Sequence, residues 1–300
     1  MKRLIFSLLL LLSTIVGVNA QLLYKITGNG LEKPSYIIGT YHLAPATFVD
    51  SIPGANEALA AVEQVCGELD MRDAESPDNK RKLQAAMFLP NGQKLKDVLT
   101  ADEWDKLNTY MQGILGTDLN NPLLSMQMGK MNPFAIMTQL QLVQYMKLTP
   151  GFNPLELIDN YFQTKATRAG KSVIGFETVD FQIEVLYGMD LERQKKQLFC
   201  MIDNSEYSLE MMKSLTDAYF SQDMAAVLAV SEEKEGNDCD STPEEDDALI
   251  YNRNADWVEK IPAIVAGKST LFVVGAAHLP GERGVLELLR KKGYTVEGIQ

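Results

Sequence analysis

Histidine is nearly absent from this chain: two residues in 300. Cysteine (3) and tryptophan (2) are almost as scarce. Three cysteines are too few for a disulfide-stapled scaffold or a four-cysteine zinc site. Basic charge is also short, with Lys+Arg 28 against Asp+Glu 40 and a net charge of −12. That balance argues against a nucleic-acid partner, which needs a basic stripe to displace phosphate counterions, and against adhesion to anionic lipid. There is no G-x-S-x-G elbow, no H-E-x-x-H, no C-x-x-C and no P-loop. Serine-hydrolase, zincin, thiol-redox and nucleotide functions therefore lack their usual anchors, and no nucleotide or organic cofactor is expected. Glycine (21) and proline (12) are near average, which sets aside fibrous and disordered chains. With 46% hydrophobic residues, the chain can build one large or two modest domains.

Long apolar runs are missing too, apart from the first residues. Lys2 and Arg3 precede the apolar stretch Leu4 to Val18, and Val18-Asn19-Ala20 has small residues at −3 and −1 of a cleavage site before Gln21. This predicts a signal peptide over 1–20, a mature chain of net charge −14 once Lys2 and Arg3 are gone, and a periplasmic or secreted protein. The run is short for a membrane span, and no cysteine follows it to carry lipid, so no stable anchor is expected after cleavage. Export would let Cys200 and Cys239 pair, while Cys66, in the apolar stretch Val62 to Leu69, is expected to be a buried free thiol.

Strand-like segments at Leu22–Ile26, Ser35–Gly39, Gln64–Leu69, Ser172–Phe176, Thr270–Val274 and Tyr294–Ile299 alternate with segments of 3.6-residue period. Gly54–Val62 reads as a short helix. Thr100-Ala101-Asp102-Glu103 is a capping box that opens a helix through Leu115. Pro122–Leu148 is helical with a break at Asn132-Pro133, Asn153-Pro154 caps a helix to Arg168, and Glu282–Lys291 is the last helix. This pattern predicts an α/β fold for 21–300: a central mixed or parallel sheet, flanking helices, and a helical insertion over about 97–170. Met126, Met128, Met131, Met137 and Met146 crowd one helical region and are expected in a core. Residues 231–247 hold nine acidic residues and one lysine, and read as a solvated loop.

Each histidine ends the same pattern. Tyr36-Ile37-Ile38-Gly39-Thr40-Tyr41-His42 and Phe272-Val273-Val274-Gly275-Ala276-Ala277-His278 are both an apolar strand, a glycine, two residues and a histidine. Glycine would let the backbone turn at the strand end, and open α/β sheets bind their ligands at those ends. Glu68 and Glu177 follow two other strands in the same way, Thr178 being the better cap for the next helix. Arg253, between Asn252 and Asn254, suits a salt bridge or an oxyanion or carboxylate clamp.

These motifs resemble the TraB/GumN family. The resemblance is carried by Gly39-Thr40-Tyr41-His42, by Glu68, by Gly170 through Thr178 with Gln182 beyond, by Arg253-Asn254, and by Val274 through Leu286 with Gly293-Tyr294-Thr295-Val296 after it. It departs at Phe176, where the family more often has Leu, and at the acidic stretch 231–247. It implies the α/β fold of the Tiki proteases, similar to erythromycin-esterase-like and haem-uptake proteins. It also implies metal-dependent proteolysis through the two G-x-x-H histidines and an acidic residue.

Transferred to this chain, the resemblance makes His42, His278 and Glu68 ligands of a divalent metal (Mn, Co or Zn), with Glu68, Glu177 and Arg253 catalytic. Glu177 would be the general base and Arg253 the oxyanion partner. The partner is then a peptide or small-molecule ligand. Two other readings stay open: a metal-free hydrolase with histidine as general base, and a non-catalytic exported binding protein.

Overall fold

The computed structural model describes residues 21–300. The signal peptide expected over 1–20 lies outside the described residues.

Six strands form one mixed sheet: β1 (Leu23–Gly28), β2 (Ser35–Thr40), β3 (Gln64–Gly67), β4 (Ser172–Gly175), β5 (Thr270–Gly275) and β6 (Tyr294–Gly298). Their order is β4-β3-β5-β2-β1-β6. The run β4-β3-β5-β2 is parallel, while β1 pairs antiparallel with β2 and β6. Leu271 to Val274 is an unbroken apolar run because β5 is covered on both faces, as parallel strands are. The chain visits β2, β3 and β4 before β5 arrives between β2 and β3. The order therefore reverses at β5, and at such a switch point the connections diverge to leave a crevice at the carboxyl ends of the strands.

The register sets Thr40 beside Gly275, Gly67 beside Val273 and Gly67 beside Gly175. All four parallel strands thus end at one level, and their following loops meet there. Gly39 and Gly275 are not at left-handed positions. A Cβ on Gly39 would lie 3.0 Å from the Ala276 Cα, and one on Gly275 would lie 3.4 Å from Glu68 Oε1 and from the His278 ring. Close approach, rather than the turn expected from the sequence, disfavours a side chain at Gly39, whereas a Cβ at Gly275 would only touch Glu68 and His278.

The largest core packs the sheet against flanking helices around Trp257, Phe272, Phe162 and Tyr219. A second apolar cluster joins the helices Ala101–Leu115, Pro133–Leu148 and Leu191–Asp203 through Leu107, Met111, Ile136, Leu140 and Leu198. Full burial of each such side chain contributes about 1.5–3 kcal/mol. Met128, Met131 and Met137 pack against this cluster as expected, but Met126 and Met146 are exposed. They fall on the outer side of their helices, where methionine merely tolerates water.

Helix termini follow side-chain chemistry. Asn132 accepts from the Ala135 N–H with Pro133 at the first turn, which separates Pro122–Met128 from Pro133–Leu148. Asn153 caps only a turn, accepting from the Leu155 N–H, and the helix begins later, at Ile158–Arg168. The last helix likewise begins at Val285, not Glu282.

Cys200 and Cys239 form a disulfide, and Cys66 is a buried free thiol whose pKa burial pushes up. The acidic stretch is more ordered than a solvated loop. The Arg193 guanidinium donates to both Glu245 oxygens and to the carbonyls of Asp238 and Asp240. A capped turn, Pro243–Asp246, then leads into a π-helical turn, Asp247–Tyr251, and the helix Asn252–Ile264. Among the described residues no helix is long and apolar enough to cross a membrane.

Candidate functional site

At the carboxyl ends of β2, β3 and β5 lies a cavity of about 430 Å³ lined by both histidines, Glu68, Asp159 and Arg253. Four of the five residues singled out from the sequence form one connected cluster around Arg253. The fifth, His42, faces it from the β2 end.

Arg253 enters from the first turn of the helix Asn252–Ile264 and is 6% exposed. All five of its N–H groups are used. Nε donates to Glu177 Oε1 at 2.7 Å, and Nη2 donates to Glu177 Oε2 at 2.9 Å and Glu68 Oε2 at 2.6 Å. Nη1 donates to the Leu249 carbonyl at 2.9 Å and reaches His278 Nε2 at 3.2 Å. The Leu249 carbonyl lies in the π-helical turn Asp247–Tyr251. Such turns recur at functional sites.

Guanidinium has no acceptor, so His278 Nε2 must carry the lone pair. Asn254 fixes the other nitrogen: its amide NH₂ donates to the Arg283 carbonyl at 3.0 Å, so its oxygen faces His278 and accepts from Nδ1–H at 2.7 Å. His278 is thus a neutral Nδ1–H tautomer, 5% exposed and 4.5 Å from the Trp257 ring. Burial, with the charges of Arg253 and His42 adding to it against Glu68, lowers its pKa to about 4.

Glu177 is 1% exposed, with four donors on its two oxygens: two from Arg253, Trp257 Nε1 at 2.8 Å and Gln182 Nε2 at 3.0 Å. A carboxylate offers about four lone-pair sites, and all are occupied. Glu68 is less enclosed. Its Oε1 accepts from the Gly275 N–H at 2.7 Å and lies 3.9 Å from His278 Nε2. Burial opposes its ionisation, but the charges of Arg253 and His42 and the Gly275 N–H together hold its pKa below the usual carboxylate range.

His42 stands in water, 78% exposed, on the cavity side of the β2 end. Its Nδ1–H donates to Asp159 Oδ2 at 3.2 Å, and Asp159 Oδ1 accepts from the Thr40 hydroxyl at 2.6 Å. The Asp159 charge and hydrogen bond raise the His42 pKa to about 9. Burial also works against ionised Asp159, yet the His42 charge and the bonds from His42 and Thr40 outweigh it and lower its pKa. Asp159 sits in the first turn of the helix Ile158–Arg168, where the helix dipole also favours a carboxylate. Its contact with His42 spans 117 positions of chain, so nothing local in the sequence pointed to it. Asn254 and Trp257 were likewise unassigned.

The donor set does not suit a metal. Both His278 nitrogens are engaged, one by a cation, and both Glu68 oxygens accept N–H groups; only His42 Nε2 lacks a protein partner among these groups. Among the described residues no group of three or more His, Cys, Asp or Glu side chains is placed to hold a metal ion.

A model of the TraB/PrgY/gumN family matches residues 22–298. Relatives include the zebrafish (Danio rerio) Metalloprotease TIKI2, 24% identical over 308 residues, covering 88% of this chain and 58% of that protein. The human (Homo sapiens) Metalloprotease TIKI1 is 24% identical over 310 residues, covering 89% and 60%. The Nematostella vectensis Metalloprotease TIKI homolog is 22% identical over 313 residues, covering 89% and 65%. The chain thus spans about three fifths of the length of these relatives, whose names carry a metal dependence. The match runs through both histidine motifs and every strand that borders the crevice, and the chain belongs to the TraB/PrgY/gumN family.

Proposed function

We propose that this protein is a hydrolase of peptide amide bonds acting outside the cytoplasm, with His42 and Glu68 as its catalytic residues. The observation that carries the reading is the division between the two carboxylate-linked groups open to the cavity. His42 is held as an imidazolium by Asp159, with Nε2 turned to no protein partner, and Glu68 is held as a carboxylate by Arg253 and the Gly275 N–H. Groups whose environments push their pKa values apart are suited to the two halves of acid–base catalysis.

Glu68 takes a proton from the attacking water as its oxygen adds to the amide carbon. The imidazolium faces the oxygen that gains charge and gives its Nε2 proton to the departing amine. The C–N bond breaks, leaving a carboxylic acid, an amine, neutral His42 and protonated Glu68. Return of that proton to His42 through water resets the site. Arg253, Glu177, His278 and Gln182 are positioning residues in this scheme, with Glu177 replaced by Glu68 as the base.

The relatives' names favour a peptide substrate. They also favour a metal, but both His278 nitrogens are engaged, one by the Arg253 guanidinium, and no step here runs through a metal. Export is supported by the charged and apolar pattern of residues 2–20 and by the Cys200–Cys239 disulfide, which persists in oxidising compartments.

The test is release of new amino termini from a peptide library, followed by mass spectrometry, with His42→Ala and Glu68→Gln as controls. Cleavage by the wild type that both variants lose supports the reading. Absence of cleavage over the whole library overturns it in favour of a binding protein.

A further inference from the structure

The floor of the crevice is polar, but its walls are not. On the helix Val179–Tyr187, Gln182 reaches down to Glu68 and Glu177, while Val185 and Leu186, three and four residues further on the same face, line the cavity above it. On the helix Ser205–Phe220, the Tyr219 hydroxyl donates to the Gly39 carbonyl at the strand end, and Leu215, one turn earlier, also lines the cavity. The π-helical turn adds Leu249 and Ile250: the Leu249 carbonyl is spent on Arg253, while its side chain lines the cavity and stays 43% exposed. Three separate elements therefore each contribute a polar group to the site's hydrogen bonds and an aliphatic residue to the cavity lining.

The charges of the cavity lining are His42, Glu68, Asp159 and Arg253, and each already has a partner within the protein. A charged substrate side chain entering this space would give up water, and the only charged group there with an unengaged N–H is the His42 imidazolium, which the reaction itself uses. An aliphatic or aromatic one would bury its surface against the walls, each methylene improving binding roughly fourfold.

We propose that this wall is a specificity pocket for a bulky apolar side chain adjoining the bond that is cut, so that the substrates are peptides with Leu, Met or Phe at that position. The identity of the cut bond rests on the hydrolase reading; the apolar selection rests on the wall alone.

Two measurements separate them. The first is kcat/KM for acetyl-Gly-Gly-Xaa-Gly-Gly-amide with Xaa as Phe, Leu, Met, Ser, Asp or Lys. The apolar members are expected to exceed the charged ones by roughly 10–200-fold. The second is binding, by calorimetry, of N-acetyl amino alcohols with the Phe, Leu, Ser and Lys side chains, which have no carboxyl-side amide to cut. Leu215→Gln is expected to collapse both preferences. Leu215 also packs on the core, so Leu186→Ala, checked for folding by circular dichroism, carries the same test with less risk to the fold.

Cleavage of all six peptides within a factor of two would overturn the pocket and leave the hydrolase reading standing. No cleavage, with Phe and Leu probes bound at least tenfold more tightly than Ser and Lys probes, would support the pocket and overturn the hydrolase reading. Neither cleavage nor selective binding would overturn both.

Discussion

The loops after β2 and β5 repeat one sequence pattern and give their histidines opposite states. His42 is 78% exposed, bonded to a carboxylate, and its pKa is raised to about 9. His278 is 5% exposed, bonded between a guanidinium and an amide, and its pKa is lowered to about 4. A repeated motif thus specifies where a side chain leaves the sheet, and the elements that pack over it specify its charge. Asp159 comes from the helix after the long helical stretch, and Arg253 and Asn254 from the helix that precedes β5. The symmetry of the motif says nothing about which loop each will meet.

The largest effect should come from removing the residue that makes the difference. Arg253→Met leaves Glu68 and Glu177 as unpaired buried acids and is expected to cost about 3–5 kcal/mol of stability. Chemical denaturation checks this, and peptide cleavage should vanish with it. A variant of unchanged stability would mean that the cluster does not depend on the guanidinium.

The two histidines should then separate in kind. His42→Ala is expected to lower kcat by about 10²–10⁴ with an unchanged melting temperature, since the ring is exposed and its ion pair is screened. His278→Ala strands a donor on Arg253 and the Asn254 oxygen, and should cost about 1–3 kcal/mol in addition to its effect on activity. Equal melting losses in the two variants would erase the distinction.

A finer probe is pH. Because its ring is exposed and its ion pair screened, the His42 imidazolium adds at most a small stabilisation, present below the ordinary histidine pKa of about 6.5 and lost as pH rises through about 9. His278 acts in the other direction: as a neutral ring it supports the fold above about 6.5, and that support is lost as pH falls through about 4. Cleavage should fall above about pH 9 in the wild type. In Asp159→Asn that limb should move down toward about 6.5, the value for an unpaired ring. Ring-proton NMR titration of the two histidines reads the same shift directly. The smallest expected effect is that of a chelator: prolonged dialysis against EDTA should leave cleavage unchanged. Activity lost on dialysis and restored by Mn, Co or Zn would show that Arg253 yields its place to a metal.

The sheet was legible because its strands are short apolar runs bounded by glycine, and the site's location followed from strand ends. The cluster of Glu68, Glu177, Arg253 and His278 could be drawn up as candidates for the same reason. Their roles could not, because a role depends on which lone pair is already taken. Glu177 reads as a free base until Trp257 and Gln182 are seen on it. Asp159 was beyond reach for a different reason: it sits within an ordinary first helical turn, and only the packing of that helix against the β2 end brings it to His42.

The position of β5 also governs how the protein can be made. This central strand is encoded by residues 270–275, yet it separates β2 and β3, which are complete by residue 67. During synthesis two strands that never pair with each other must wait for some two hundred residues before the strand between them exists. Pairings this distant in sequence form slowly. A chain interrupted before residue 270 would leave unpaired the edges of β2 and β3 that face β5 and the edge of β1 that faces β6, a template for aggregation, and would lack His278. The molecule is therefore expected to complete its sheet only when its last thirty residues are available, and to gain the sheet and the candidate site in one closing step.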